Sequence, residues 1–404
     1  MPKTIALIGA LDTKGHEFAF VKEAIAARGH ETLVINTGVI GEPAFSPDVD
    51  AAEVAQAGGS TLVALREKAD RGQAMDVMTR GIAEIIVRLH DADKIDGVLG
   101  MGGSAGTAIG TSAMRALPVG FPKVMVSTVA AGDTTPYVGT KDVVMIPSVV
   151  DVAGVNSISA LIYANAAGAI VGMVETTVPD IVQKPLVAAT MFGNTTPLVD
   201  RCRETLEAAG YEVLVFHATG AGGRTMESLV DQGLISAVLD VSPTEWADEL
   251  VGGVLTAGPT RLEAASRQGI PQVIVPGCLD MVNFWARNTV PDRFTDRIFY
   301  EWNPNVTLMR TTPEENAELG RILAEKANVS TGPVAYLLPL QGVSMLDAPG
   351  KEFWWPAADH ALFEAIKTYA RSDRIVREMN NNVNDQEFAD AVSAQLLDFL
   401  RQDH

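Results

Sequence analysis

Between residues 95 and 114 the sequence passes from an apolar run through a glycine-rich turn into small helix-forming residues. The turn, residues 100–107 (GMGGSAGT), holds four glycines together with Ser104 and Thr107. Glycines let the main chain approach an anion, and the free N–H groups of a helix N-terminus attract negative charge. The segment therefore predicts a strand, a turn and a helix N-terminus that can hold phosphate. It has neither a Walker lysine nor an intact GxGxxG, and an ordinary turn between a buried strand and a helix is the alternative.

Strand-length apolar runs alternate with helix-length segments along the chain. The first unit is an apolar run at residues 4–8, a helical stretch at 16–28 and a second apolar run at 32–35. Continuous apolar runs of this length are typical of parallel strands that are buried on both faces. The sequence therefore predicts an α/β protein built from Rossmann-like, doubly wound parallel sheets.

The chain has 404 residues, which is more than one hydrophobic core usually holds. The alternation pauses at residues 178–185 and then starts again, so that residues 121–126 (FPKVMV) resemble residues 270–275 (IPQVIV). We therefore predict a nucleotide-binding domain at residues 1–180 and a second domain with a helical tail at residues 181–404. An internal duplication would produce this pattern, and two independent Rossmann-like domains are the alternative.

The formal net charge is −19, and no block of lysine or arginine occurs. Because nucleic acids and anionic membranes are bound by basic surfaces, we expect neither as a partner. A phosphate ligand would have to be held locally, by main-chain amides and a few cations. The two cysteines have no metal-like or disulfide-framework spacing, and the chain begins directly with a predicted strand. These features predict a cytoplasmic protein without a signal peptide or membrane span.

Polar segments follow several predicted strands, and open α/β sheets bind ligands at the carboxyl ends of their strands. Lys14 is a candidate phosphate cation, with a solvated surface lysine as the alternative. Asp12 and Asp133 are candidate Mg²⁺ ligands, with helix N-caps as the alternative, and we assign the metal to Asp133. The predicted cofactor-binding residues are Asp12, Thr13, Lys14, Gly102, Gly103, Ser104, Ala105, Gly106, Thr107 and Asp133.

The second half supplies candidate catalytic and substrate-binding residues, which we expect to face the first set across a cleft. His217 is the candidate general acid or base and Asp280 its catalytic companion, with a structural histidine as the alternative. Arg224 follows two glycines and could clamp a carboxylate or phosphate, with an inter-domain salt bridge as the alternative. Cys278 fits a buried structural cysteine better than a nucleophile. The predicted substrate-binding residues are Asn194, Thr195, Gly222, Gly223, Arg224 and Asn283.

Four segments together resemble a known family: residues 9–15 (GALDTKG), 100–107 (GMGGSAGT), 217–224 (HATGAGGR) and 276–283 (PGCLDMVN). They are similar to the uncharacterised protein family with a Tm-one-like ATP-binding domain, which is named for a plant tobamovirus-resistance protein. The similarity covers essentially the whole chain. It implies two Rossmann-like subdomains, ATP with Mg²⁺ bound at the first, and a self-associated state.

These observations predict an ATP- and Mg²⁺-binding enzyme that acts on a small anionic metabolite held between the domains. Phosphoryl or nucleotidyl transfer would fit, because such reactions depend chiefly on positioning and charge neutralisation. Two alternatives stay open. One is a non-catalytic, nucleotide-responsive regulatory protein, and the other is a metabolite hydrolase or lyase that uses the loops of the second half.

Overall fold

Each half of the chain builds a parallel β-sheet flanked by helices in the computed structural model, which describes residues 1–179 and 182–402. The chain divides into two structural units, Met1–Asp180 and Ile181–His404. The predicted α/β class, with two doubly wound parallel sheets, is confirmed. No helix in the described ranges is long and apolar enough to cross a membrane.

The first unit holds five parallel strands and the helices that connect them. The strands are β1 (Thr4–Gly9), β2 (Glu31–Asn36), β3 (Gly97–Gly102), β4 (Lys123–Ser127) and β5 (Val144–Pro147). The helices are α1 (Leu11–Ala26), α2 (Ala51–Ala57), α3 (Leu62–Lys68), α4 (Arg71–Asp91), α5 (Ser104–Ala116), α6 (Thr135–Val138) and α7 (Ser159–Glu175).

The strands of the first unit lie in the order β2-β1-β3-β4-β5. Apolar side chains of α1 and α7 pack on one face of the sheet, and those of α4 and α5 pack on the other. Helices α1 and α5 therefore leave the neighbouring strands β1 and β3 on opposite faces. In doubly wound sheets this arrangement opens a crevice at the carboxyl ends of the two strands, which we call the β1–β3 crevice.

The second unit holds a six-stranded parallel sheet and a small antiparallel one. Its strands are β6 (Leu186–Met191), β7 (Glu212–His217), β8 (Ala237–Asp240), β9 (Gln272–Ile274), β10 (Met281–Phe284), β11 (Phe299–Asn303), β12 (Val306–Arg310), β13 (Val334–Pro339) and β14 (Ile375–Met379). Its α-helices are α8 (Thr196–Ala208), α9 (Ala221–Asp231), α10 (Glu245–Val251), α11 (Ala264–Gln268), α12 (Pro313–Asn328), α13 (Pro356–Tyr369) and α14 (Gln386–Gln402), and its 3₁₀-helices are Gly193–Thr195, Arg287–Thr289 and Asp292–Phe294.

The large sheet of the second unit has the order β7-β6-β8-β9-β13-β14, and the small sheet has the order β10-β12-β11. The first five strands of the large sheet thus repeat the order seen in the first unit. Because this order is common among doubly wound proteins, the internal duplication stays a prediction.

Two predicted segments of the first unit are wrong in their detail. The glycine-rich turn is short, because β3 extends to Gly102 and α5 begins at Ser104. The polar and glycine residues of segment 9–15 predict a loop, but residues 11–14 form the first turn of α1, where the Asn36 side chain accepts the N–H of Leu11 at 3.0 Å.

The apolar spacing of residues 68–90 predicts one long helix, and the structure has one, α4, over Arg71–Asp91, whereas Lys68 is the last residue of α3. The backbone of Ala69 is left-handed, and the carboxylate of Asp70 accepts the N–H groups of Gly72 and Gln73, which begins α4 anew. The polar and aromatic residues of segment 276–285 predict a loop, but residues 281–284 form β10, because antiparallel pairing with β12 satisfies their main chain. Residues 334–339 are the last strand that the apolar pattern predicts, and the structure has a further strand, β14.

Close packing of α4 against α2 provides a test of the first unit's core. A β-carbon at Gly81 would overlap the carbonyl oxygen of Val54, whereas one at Gly172 in α7 would meet no atom within 4 Å. We expect Gly81→Ala to lower the free energy of unfolding by about 1–3 kcal/mol through overpacking. Gly172→Ala should raise it by up to about 1 kcal/mol, because alanine favours the helix. Urea unfolding followed by circular dichroism measures both, and a Gly81→Ala variant as stable as the wild type would contradict this packing.

Candidate functional site

The N-terminus of α5 presents unpaired main-chain donors at the β1–β3 crevice. Gly103 is the extended N-cap residue, and no side chain caps the helix. The N–H of Thr107 bonds to the carbonyl of Gly103 at 2.8 Å, while those of Ser104, Ala105 and Gly106 find no acceptor in the described parts of the chain. Such a cluster of donors at the positive end of a helix dipole is suited to binding an anion.

The start of α5 is held firmly against the sheet. The hydroxyl oxygens of Thr107 and Ser127 lie 2.6 Å apart, and the Ser127 hydroxyl also accepts the N–H of Val129 at 3.1 Å. A β-carbon at Gly102 would approach the Cα of Gly106 to 2.9 Å. These two glycines therefore serve close packing between β3 and α5. Ser127 was missed in the sequence, although a small hydroxyl residue at a strand end was a usable signal.

Asp12 joins the first turn of α1 to the segment that follows β2. Its Oδ2 accepts the N–H groups of Ile40 and Gly41, each at 3.0 Å, and its buried Oδ1 has no partner in the described structure. Thr13 is exposed, and its hydroxyl donates to the carbonyl of Ala10 at 3.4 Å. One oxygen of the Asp12 carboxylate is thus committed to the chain itself, and the other has no partner among the described residues.

Lys14 lies in the first turn of α1. Its backbone departs from helical values (φ −127°, ψ 17°), and its ammonium forms no hydrogen bond or ion pair with the residues that the structure describes. The strand order and the opposite faces covered by α1 and α5 place these two helices on either side of the β1–β3 crevice. The predicted phosphate cation is therefore unengaged and lies on the element that faces the open helix N-terminus.

Asp133 is exposed at the start of the short helix α6. Its Oδ1 accepts the N–H of Thr135 at 3.0 Å, and hydrogen bonds from Thr135 hold the pKa of Asp133 below its usual value. The carboxylate is therefore ionised at neutral pH. Within residues 1–179 and 182–402, no group of three or more His, Cys, Asp or Glu side chains is arranged to hold a metal.

In the second unit the N-terminus of α9 is already occupied by a carboxylate of the chain. Oε1 of the buried Glu245 accepts the N–H groups of Gly220 and Gly223 at 2.7 and 3.0 Å. Oε2 of Glu245 accepts from Arg261 at 2.7 Å, and Arg261 also binds both oxygens of Asp240. This buried network fills the position that an anionic ligand would take.

The predicted substrate-binding glycines lie beside this network. A β-carbon at Gly222 would overlap the carbonyl of His217, and one at Gly223 would overlap the carboxylate of Glu245. Both glycines therefore permit close packing. Arg224 is exposed, and one of its terminal nitrogens donates to the carbonyl of Thr256 at 2.9 Å.

The other candidates of the second unit divide into exposed and buried groups. His217 is exposed and stacks on Phe192, with ring centroids 5.5 Å apart. Asn194 and Thr195 are buried, and the hydroxyl of Thr195 lies 2.6 Å from that of Ser242. The structure thus leaves His217 within reach of a ligand and places the two polar residues in the interior.

Asp280 belongs to a buried cluster of three carboxylates around Arg310. Its Oδ2 accepts from the hydroxyl of Ser344 at 2.8 Å, while Arg310 donates to Asp359 at 2.7 Å and lies 3.5 Å from Asp347. Burial raises the pKa of Asp280 to about 7 and that of Asp359 to about 8. One guanidinium cannot neutralise three carboxylates, so the folded state retains protons here at mildly acidic pH.

Asn283 and Cys278 also have interior positions. The side-chain amide of Asn283 donates to Asp248 at 2.6 Å, and burial raises the pKa of Asp248 to about 7. Cys278 is fully buried, and burial raises the pKa of its thiol well above the usual value. A buried, protonated thiol is a poor nucleophile, in agreement with the structural role that we favoured.

Two doubly wound parallel sheets, the first with an open helix N-terminus at its crevice, define an α/β protein of Rossmann-like architecture. The sequence matches the uncharacterised protein family (UPF0261) N-terminal domain over residues 3–179 and the C-terminal domain of that family over residues 184–400. The chain belongs to this family, and the resemblance stated from the four motifs is confirmed.

Relatives of the chain include bacterial and plant proteins. A UPF0261 protein of Clostridium tetani is 53% identical over the full length of both chains. The ToMV resistance protein Tm-1(GCR237) of Solanum lycopersicum is 43% identical over 81% of this chain, which spans 45% of the tomato protein. Among solved structures, a thioesterase domain from the curacin biosynthetic pathway matches with a TM-score of 0.27 and 13% identity over 53% of this chain and 91% of that domain.

The buried carboxylate cluster predicts a pH-dependent stability. The folded-state pKa values of Asp280 and Asp359 lie above the ordinary aspartate pKa of 3.8, so between about pH 4 and pH 8 the folded state binds more protons than the unfolded state. Stability should therefore fall as the pH rises. We expect Asp280→Asn to match the wild type below about pH 4, to gain on it progressively as the pH rises, and to be more stable by about 1–3 kcal/mol near pH 8.

Urea unfolding at a series of pH values measures this difference. Glu352→Gln, which removes an exposed carboxylate outside the cluster, is the matched control and should leave the pH dependence unchanged. Identical pH dependences for Asp280→Asn and the wild type would show that Asp280 does not retain a proton in the folded state.

Proposed function

We propose that the first unit binds ATP with Mg²⁺ and that the triphosphate lies at the N-terminus of α5. The observation that supports this proposal is the contrast between the two units. Three N–H groups at the start of α5 have no acceptor in the described structure, whereas the start of α9 is bonded to Glu245. Because helix N-termini require partners for their donors, α5 is the one that would gain a phosphate oxygen as its partner.

The charged residues around the crevice fit a nucleotide with its metal. Lys14 supplies a cation without a partner among the described residues, and the exposed, ionised Asp133 supplies a carboxylate. Magnesium usually needs only one or two protein carboxylates, because phosphate oxygens and water complete its coordination. When bound, the ion would screen the phosphate charge. Such local neutralisation is required in a protein whose net charge is −19.

A second candidate function is an enzyme that uses the bound ATP to act on a small anionic metabolite. His217 and Arg224 favour it, because both are exposed near the carboxyl end of β7. Asp280 is fully buried, so it would act only through its interior hydrogen bonds. A regulatory protein that binds ATP without turnover is the alternative. Self-association and a cytoplasmic location stay predictions.

A matched pair of substitutions tests the phosphate site. Ser104 and Ala221 are the exposed first residues of α5 and α9, and each follows a glycine N-cap. We expect Ser104→Glu to weaken ATP binding by at least about tenfold, because like charges repel at short range. The helix itself should keep its stability, since acidic residues in a first turn are favourable by about 0.3–1 kcal/mol.

Calorimetric titration with ATP and Mg²⁺ measures the dissociation constant for ATP of the wild type and of each variant. Ala221→Glu adds the same charge at the helix whose donors Glu245 already occupies, so its affinity for ATP should equal that of the wild type. If Ser104→Glu binds ATP as tightly as the wild type does, the proposed phosphate site is wrong. It is also wrong if the wild type binds no ATP.

Turnover separates the enzyme from the regulatory protein. Incubation with ATP, Mg²⁺ and a pool of small metabolites, followed by phosphorus NMR, should show ADP, AMP or phosphate if the protein is an enzyme. We expect His217→Gln to abolish that turnover with no change in the dissociation constant for ATP, because the imidazole would transfer the proton. Thermal stabilisation of the wild type by ATP without any product would instead support the regulatory protein.

A further inference from the structure

Residues 37–42, which we name the Ile40 loop, follow β2 and are held on one side by α1. The carboxylate of Asp12 accepts the N–H groups of Ile40 and Gly41, each at 3.0 Å. Gly38 packs so closely against that carboxylate that a β-carbon would overlap it. The loop therefore has a fixed position relative to the first turn of α1.

A second side chain holds the loop from the other side. Arg66 of α3 donates from Nε to the carbonyl of Val39 at 2.7 Å and from a terminal nitrogen to the carbonyl of Gly41 at 3.0 Å. The entry to the loop is also fixed, because the N–H of Thr37 bonds to the carbonyl of Gly9 at 2.8 Å. The Asp12 carboxylate accepts hydrogen bonds from two N–H groups of the loop, and the Arg66 guanidinium donates to two of its carbonyls. Together these bonds hold the main chain of the Ile40 loop in one conformation.

This rigid loop presents an apolar side chain to solvent. Val39 packs against the core between the sheet and α4, whereas Ile40 is 87% exposed. Apart from Met1, no large apolar side chain in the described ranges is more exposed. Single exposed apolar residues are common on protein surfaces, but this one stands on a loop whose main chain is fixed by two charged side chains.

The strand order relates the loop to the proposed phosphate site. Strand β1 lies between β2 and β3 in the sheet, and neighbouring strands lie about 4.8 Å apart. The end of β2 is therefore about 10 Å from the end of β3, where α5 begins. The ribose and α-phosphate of a nucleotide span such a distance, so a nucleotide with its phosphates at α5 can carry its base to the end of β2, from which the Ile40 loop runs.

We propose that the Ile40 loop is the platform on which the purine base of the nucleotide packs, an inference that rests on the proposed phosphate site. A planar base lying on the isoleucine side chain removes apolar surface of both from water. A purine covers more of that surface than a pyrimidine does. The rigidity of the loop matters because a preordered apolar surface loses little conformational entropy when the base binds.

Comparison of ATP with inorganic tripolyphosphate, each with Mg²⁺, tests the platform, because tripolyphosphate has no base. We expect Ile40→Ser to weaken ATP binding by about five- to tenfold through lost apolar contact and to leave tripolyphosphate binding unchanged. Arg66→Gln, which loosens the loop, should act in the same direction. Val63→Ser, which removes a 65% exposed side chain from α3, is the control and should change neither affinity. The wild type should bind ATP more tightly than CTP.

The outcomes distinguish this inference from the proposed function. If Ile40→Ser binds ATP as tightly as the wild type does, or if it lowers the affinities for ATP and tripolyphosphate equally, the proposed platform is wrong. The proposed phosphate site is not contradicted by either result. The same holds if the wild type binds ATP and tripolyphosphate equally well. If the wild type binds neither ligand, the proposed phosphate site falls, and the platform falls with it.

Discussion

The donors at the start of a helix must find acceptors, and the two units meet this requirement differently. In α9 the acceptor is Glu245, which is buried and paired with Arg261. In α5 the N–H groups of Ser104, Ala105 and Gly106 have no acceptor in the described chain, and the helix begins at the crevice. The two sheets share the order of their first five strands but differ in this electrostatic feature, and for that reason we propose the anion site in the first unit.

In the second unit, two arginines and several carboxylates are buried and paired with one another. Arg261 binds Asp240 and Glu245, while Arg310 stands among Asp280, Asp347 and Asp359. A buried pair is weak support for net stability, but removal of one partner is costly because the other charge is left unpaired. Among the candidate catalytic residues, Asp280 is in this way part of the interior, whereas His217 is exposed, as is the candidate substrate-binding residue Arg224.

Much of the architecture followed from local patterns. The apolar runs predicted the buried parallel strands, because strands covered on both faces need no polar alternation. The glycine-rich segment predicted the helix N-terminus at α5. The same reasoning also selected Gly222 and Gly223, which lie against Glu245 and the carbonyl of His217. The spacing of glycines in the sequence does not show whether a glycine allows a ligand to approach the main chain or allows another part of the chain to pack closely against it.

The sequence by itself determined the α/β class and the helix N-terminus that follows β3, because periodicity and turn chemistry are local properties. Only the tertiary structure decided which helix N-terminus is open, since the carboxylate that closes α9 is 22 residues distant from Gly223. It also decided that Asp12 and Arg66 hold the loop carrying Ile40. These contacts join residues far apart in the chain, and their geometry exists only after the sheets have formed.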